Sequence, residues 1–144
     1  MLGPLHPTPY ADVNDALRDL LAGVRAALDM RFVGMYLTGS LALGDFDPAT
    51  SDIDLVVVTG DALPANLVEP LREMHERFAA GDSPWAGKVE AAYIPRNALR
   101  RAAPDDALYP QVEKDRDLFV DQLESGWIVQ CYILREHGVT LAGP

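Results

Sequence analysis

Apolar residues recur along the chain with two different periods. Val13, Ala16, Leu17, Leu20, Leu21, Val24, Ala27 and Leu28 follow the 3.6-residue spacing of a one-sided helix and predict one running to about Asp29. Thr8 and Pro9 stand where an N-cap and a first helical residue fit, after an extended lead-in containing Pro4 and Pro7. Leu67, Leu71, Met74 and Phe78 predict a second helix from about Asn66, with Pro70 near its first turn and Gly81 as its stop. Ser125, then Trp127, Ile128, Cys131 and Leu134, predict a third helix ended by Gly138. Between them lie shorter apolar runs that read as strands: Phe32 to Thr38, Asp52 to Thr59 and Lys88 to Ile94. The unbroken Leu55-Val56-Val57-Val58 suits a strand buried on both faces. Leu118 to Val120 fits a short strand, and Val139-Thr140-Leu141 a short extended end. Leu41 to Leu43 fits a short helix. Gly44 to Thr50 is a loop by composition, and Pro95 to Asp117, with Pro104 and Pro110, reads as irregular and polar. The β-α-β order mixed with irregular segments defines an α/β (α+β) fold, a small mixed sheet of about 4–5 strands flanked by helices.

Bulk properties narrow the partners. With 144 residues, 49% of them apolar, the chain has the material for one globular domain. Twelve basic against 22 acidic residues give a formal charge of -10, which disfavours general nucleic-acid binding and suits a cationic or metal-bound partner. The single cysteine, Cys131, cannot form an internal disulfide and sits in the apolar stripe of the third helix. No apolar run approaches the ~18 residues of a membrane span. The N-terminus lacks a basic stretch followed by an apolar core, so the expectation is a cytoplasmic protein.

Asp52 and Asp54 open the second strand run, separated by Ile53. On a strand, both carboxylates project to the same face. Side by side they repel, and burial is costly unless a cation joins them. Hard oxygen donors suit Mg²⁺. Gly39-Ser40, separated from Asp52 by eleven residues, ends the preceding apolar run with a turn whose backbone N–H groups suit a phosphate. Paired acids, a metal and a phosphate cradle together describe phosphoryl or nucleotidyl transfer. Glu90 is an acid inside an apolar run, either part of that site or an edge residue paired with Lys88. Ser51 either adds a hydroxyl to the site or caps the loop. Asp45 and Asp47 read as solvated loop acids, and Trp85 as a packing residue. His6, His75 and His137 lack ligand spacing and read as surface or capping residues, and Arg96, Arg100 and Arg101 as a solvated face.

The string Tyr36-Leu37-Thr38-Gly39-Ser40 with Ser51-Asp52-Ile53-Asp54-Leu55 resembles the signature of the polymerase-β type nucleotidyltransferase superfamily. Together with the terminal segment Leu134 to Pro144, it is similar to the N-terminal domain of the aminoglycoside adenylyltransferases that modify streptomycin and spectinomycin. The resemblance covers roughly residues 10–144 and implies a nucleotidyltransferase fold over residues 1–144, without the helical domain those enzymes carry next. It implies Mg²⁺ held by Asp52 and Asp54 against the triphosphate of ATP. Glu90 would bind metal or act as the base, and Gly39, Ser40 and Ser51 would contact the nucleotide. AMP would pass to a hydroxyl of a small molecule, an aminoglycoside being favoured.

Three other functions compete. One is a minimal nucleotidyltransferase antitoxin acting on a helical toxin partner. Another is a non-catalytic scaffold, against which the intact Asp52 and Asp54 speak. A polynucleotide-extending enzyme fits the charge least. If the chain is an excised domain, it is expected to fold, to catalyse poorly alone, and to self-associate or bind a partner protein through an exposed apolar docking face.

Overall fold

The computed structural model describes residues 7–61, 63–101, 107–114, 116–123 and 138–143. The elements in chain order are α1 (Ala11–Leu28), a 3₁₀ turn (Asp29–Arg31), β1 (Phe32–Thr38), α2 (Gly39–Leu43), β2 (Ile53–Thr59), α3 (Ala65–Ala79), β3 (Val89–Pro95), α4 (Arg96–Arg101), β4 (Tyr109–Val112), β5 (Phe119–Asp121) and β6 (Val139–Ala142). The strands form one six-stranded sheet in the order β5-β4-β3-β2-β1-β6. β2 and β3 are parallel, joined through α3, and the other neighbours are antiparallel.

The sheet has more strands than the periodicity predicted. β4 lies inside the stretch read as irregular, because Pro110 and Gln111 hide its alternation. Pro110 is tolerated because β3 pairs only with Gln111 and Val112, one step further along. α1 also starts later than expected. Tyr10 is its N-cap and makes no side-chain capping bond. Thr8 is instead locked to Asn14: its N–H and hydroxyl both donate to Asn14 Oδ1, and Asn14 Nδ2 donates back to its carbonyl. Pro70 sits in the second turn of α3. The predicted helix from Ser125, with Cys131, lies outside the described residues, as do His6, His137 and the side chains of Arg100 and Arg101.

The alternation of β2 splits the core in two, as the solid apolar run predicts. Ile53, Leu55 and Val57 face the larger cluster with Val13, Leu17, Leu20 and Val24 of α1 and Leu71 and Met74 of α3. Val56 and Val58 face the other way, with Ala92 and Ile94 of β3. Four large apolar side chains are exposed among the described residues: Met30, Leu43, Leu108 and Val120.

His75 is not at the surface. It is buried beside Leu71 and Met74, and its Nε2 lies 2.6 Å from Tyr93 Oη. Burial lowers its pKa to about 4 and raises that of Tyr93. Tyr93→Phe should therefore strand a buried ring nitrogen and cost about 1–3 kcal/mol. Thermal melts should show a Tm lower by roughly 3–4 °C per kcal/mol. An unchanged Tm would mean the bond contributes nothing.

Candidate active site

Sheet register brings the sequence-predicted acids together. Thr38 of β1 pairs with Asp54 of β2, and Asp54 pairs with Glu90 of β3. Cross-strand partners share a face, so Asp54 and Glu90 stand side by side on the face opposite α1 and α3. Asp52 lies just ahead of β2, half-buried.

The electrostatics follow from that placement. The carboxyl of Asp54 is pushed up to about 7, first by burial, then by the charge of Glu90, a hydrogen bond to Glu90 and the charge of Asp52. Glu90 is raised as well, mainly by burial, with Asp52 and Glu113 adding to it while the Asp54 bond and Lys114 oppose it. Both carboxyls therefore hold a proton more readily than they would in water. Two like charges in low dielectric reduce their repulsion this way when no cation is present. Among the described residues, no three His, Cys, Asp or Glu side chains converge on one metal-ligating point. Asp54 and Glu90 turn to each other, and Asp52 reaches them through its charge.

Gly39 makes this geometry sterically feasible. Its φ is +64°, and a Cβ there would lie 2.1 Å from Asp54 Oδ2. Only a residue without a side chain allows the turn to pack directly on the carboxylate. Ser40 follows in α2. Its carbonyl accepts from the N–H groups of Gly44 and Asp45, and its hydroxyl has no partner among the described residues. Ser51 closes the loop, accepting from Asp47 N–H at 3.0 Å while its own N–H donates to Asp47 O at 2.8 Å. Asp47 caps its own turn through Ala49 N–H, and both Asp47 and Asp45 are exposed. Trp85 is packed, 3% exposed. Arg96 is exposed at the start of α4, away from the start of β3 where Glu90 stands.

Sequence reasoning missed Glu113 and Lys114. Ala92 pairs with Gln111 and Ala91 with Val112, so continuing the register brings Glu113 opposite Glu90. Both residues act on the charge of Glu90. The alternation of Tyr109, Gln111 and Glu113 carried this information, but Pro110 concealed it.

Asp52 just ahead of β2, Asp54 on it, Glu90 on its parallel neighbour β3 and the Gly39 turn packed on Asp54 thus lie together at one end of the two central strands. The family model of the nucleotidyltransferase domain matches residues 21–120, and the chain belongs to that family. The fold is similar to spectinomycin adenyltransferase AAD(9) from Enterococcus faecialis, crystallised with ATP and spectinomycin, at a TM-score of 0.65 and 17% identity. The match covers 90% of this chain and 55% of that one, so the chain spans little more than half the length of the solved relative. No curated protein sequence matches the chain significantly. No helix among the described residues is long and apolar enough to cross a membrane.

Proposed function

We propose that this chain is a Mg²⁺-dependent nucleotidyl-transfer domain that moves AMP from ATP to a hydroxyl of a small molecule, an aminoglycoside being the favoured acceptor. The observation that carries the reading is the Asp54–Glu90 carboxylate pair, set side by side by the register of β2 and β3, with Asp54 packed directly on Gly39. Its donor chemistry fits a hard divalent cation: oxygen ligands only, crowded so that burial and neighbouring charge raise the proton affinity of both carboxyls. Asp52 and Asp54 would hold Mg²⁺. When bound, the cation neutralises negative charge on the triphosphate. Ser40 and the N–H of Gly39 would hold the terminal phosphates, and Ser51, whose hydroxyl hydrogen remains to donate, would add a contact.

Glu90 would accept the proton of the acceptor hydroxyl as its oxygen bonds to the α-phosphorus and pyrophosphate leaves. A carboxylate whose proton affinity is raised by burial is a better base than one in water. The family's activity, the ATP and spectinomycin bound by AAD(9), and the net charge of -10 support an adenylyl donor and a cationic acceptor.

Calorimetric titration with ATP tests the reading. Saturable binding with Mg²⁺, absent in EDTA, is expected; ATP binding indifferent to Mg²⁺ would refute it. Glu90→Gln should lower transfer of labelled AMP by on the order of 100-fold while leaving the Kd for Mg²⁺-ATP within about threefold. An equal fall in nucleotide affinity would make Glu90 a metal ligand instead.

A further inference from the structure

The loop that joins the two halves of the site is polar and exposed apart from one residue. Gly44, Asp45, Asp47, Pro48, Ala49 and Thr50 are exposed, whereas Phe46 is 8% exposed. Its ring lies between Tyr10, at the start of α1, and Trp85, in the turn before β3. The centroids are 5.1 Å and 5.3 Å away, both tilted as aromatic pairs prefer. Tyr10 Oη also donates to the carbonyl of Phe46 at 3.3 Å.

The chain neighbours of Phe46 and its contact with Trp85 lead to site residues. On one side, Asp45 N–H donates to Ser40 O at 3.1 Å. On the other, Asp47 and Ser51 are tied by their mutual bonds, one residue before Asp52. Trp85 completes the circuit: its carbonyl accepts Lys88 N–H, and the Lys88 carbonyl accepts Ile53 N–H, each at 3.0 Å. Ile53 lies between the two aspartates. Among the described residues the buried indole N–H of Trp85 has no partner, a cost that a phenylalanine would avoid.

We propose that Phe46 is a positioning residue for nucleotidyl transfer: wedged between Tyr10 and Trp85, it fixes the Gly39-Ser40 turn against Asp52. The inference rests on the proposed function. A phosphate end and a metal end on separate segments must keep a fixed separation to grip one nucleotide, and outer-shell supports of this kind are worth about 10–100-fold in metal affinity or activity.

Two readouts test it. The first is the Kd for Mn²⁺-ATP at a temperature where circular dichroism shows each variant fully folded. Phe46→Ala should weaken binding by on the order of 10–100-fold, Phe46→Leu should recover most of it, and Tyr10→Phe should lose about two- to fivefold, as it removes one hydrogen bond and keeps the stack. The second needs no ligand: amide hydrogen exchange. Phe46→Ala should speed exchange at Ser51 and Ile53 by about tenfold or more relative to Val56 and Val57 within β2. Parent-like Mn²⁺-ATP affinity in folded Phe46→Ala, or faster exchange spread evenly through β2, would overturn the positioning role and leave a packing residue. If Phe46→Ala does not fold, Tyr10→Phe decides: Mn²⁺-ATP affinity and exchange at Ser51 and Ile53 both unchanged overturns it. A parent chain that fails to bind Mn²⁺-ATP contradicts the proposed function, whereas the exchange data still report on Phe46.

Discussion

Asp54→Asn is expected to remove Mg²⁺-dependent ATP binding and, at pH 8, to raise the melting temperature. Losing one of two anionic ligands should weaken Mg²⁺-ATP binding by at least about 100-fold, roughly 3 kcal/mol. The opposite sign for stability comes from the crowding of Asp54. Its folded value of about 7 stands above its ordinary 3.8, so its stabilising contribution is full below 3.8 and is lost as pH rises through about 7. At pH 8 the parent holds a half-buried charge against Glu90 and Asp52. An asparagine amide keeps the donor to Glu90 without that charge. His75 has the reverse dependence: lowered from 6.5 to about 4, it contributes stability above 6.5 that is lost as pH falls through 4. Melts from pH 4 to pH 8 should therefore show the parent losing Tm toward alkaline pH through Asp54. The variant should lose that decline and keep the acid-side rise of His75. Parent-like Mg²⁺-ATP affinity in Asp54→Asn would remove this carboxylate from the site. A Tm lowered at pH 8 would show that its charge is stabilising.

Gly39→Ala should have the largest effect on stability. Two costs add at one atom. The backbone is at φ +64°, unfavourable for alanine, and the new methyl would lie 2.1 Å from Asp54 Oδ2 and 2.9 Å from Asp54 Cγ. Asp54 cannot retreat easily, because β2 pairs with β1 on one side and β3 on the other. Together these imply a loss of about 2–4 kcal/mol, readable as a lower urea midpoint at unchanged slope. The folded fraction should bind Mg²⁺-ATP poorly, since the carboxylate has been displaced. Gly44 is the internal control: its φ is +81°, yet nothing lies within 4 Å of a Cβ there. Gly44→Ala should bear the backbone cost alone, about 1 kcal/mol. Equal losses at both glycines would show that close packing on Asp54 has no energetic role.

What the sequence revealed was local, and what it hid was long-range. Two acids one residue apart on a strand share a face, so Asp52 and Asp54 could be singled out before any fold was known, although β2 itself begins only at Ile53. Glu90 stood out as a charge inside an apolar run, and parallel pairing with Asp54 explains it. The solid Leu55–Val58 run gave a strand covered on both sides, which the two clusters bear out. β4 was hidden by Pro110, whose missing N–H disqualifies it from most central positions; Glu113 was lost with it. Phe46 looked like one apolar residue in a polar loop, because its partners are 36 residues earlier and 39 residues later in the chain. His75 read as polar, although its place four residues after Leu71 put it on the core face of α3. For Phe46, burial was decided by distant segments that no window of 15–20 residues contains.

Whether the acid row holds a metal–nucleotide pair is tested most directly by Mn²⁺-ATP titrated into isotope-labelled protein, followed by amide NMR. Paramagnetic broadening should be strongest at Gly39, Ser40, Asp52 to Leu55 and Glu90, and should need both the metal and ATP. Broadening absent there, or centred instead on the cavity of about 310 Å³ lined by His75, Val112 and Leu118, would contradict the assignment.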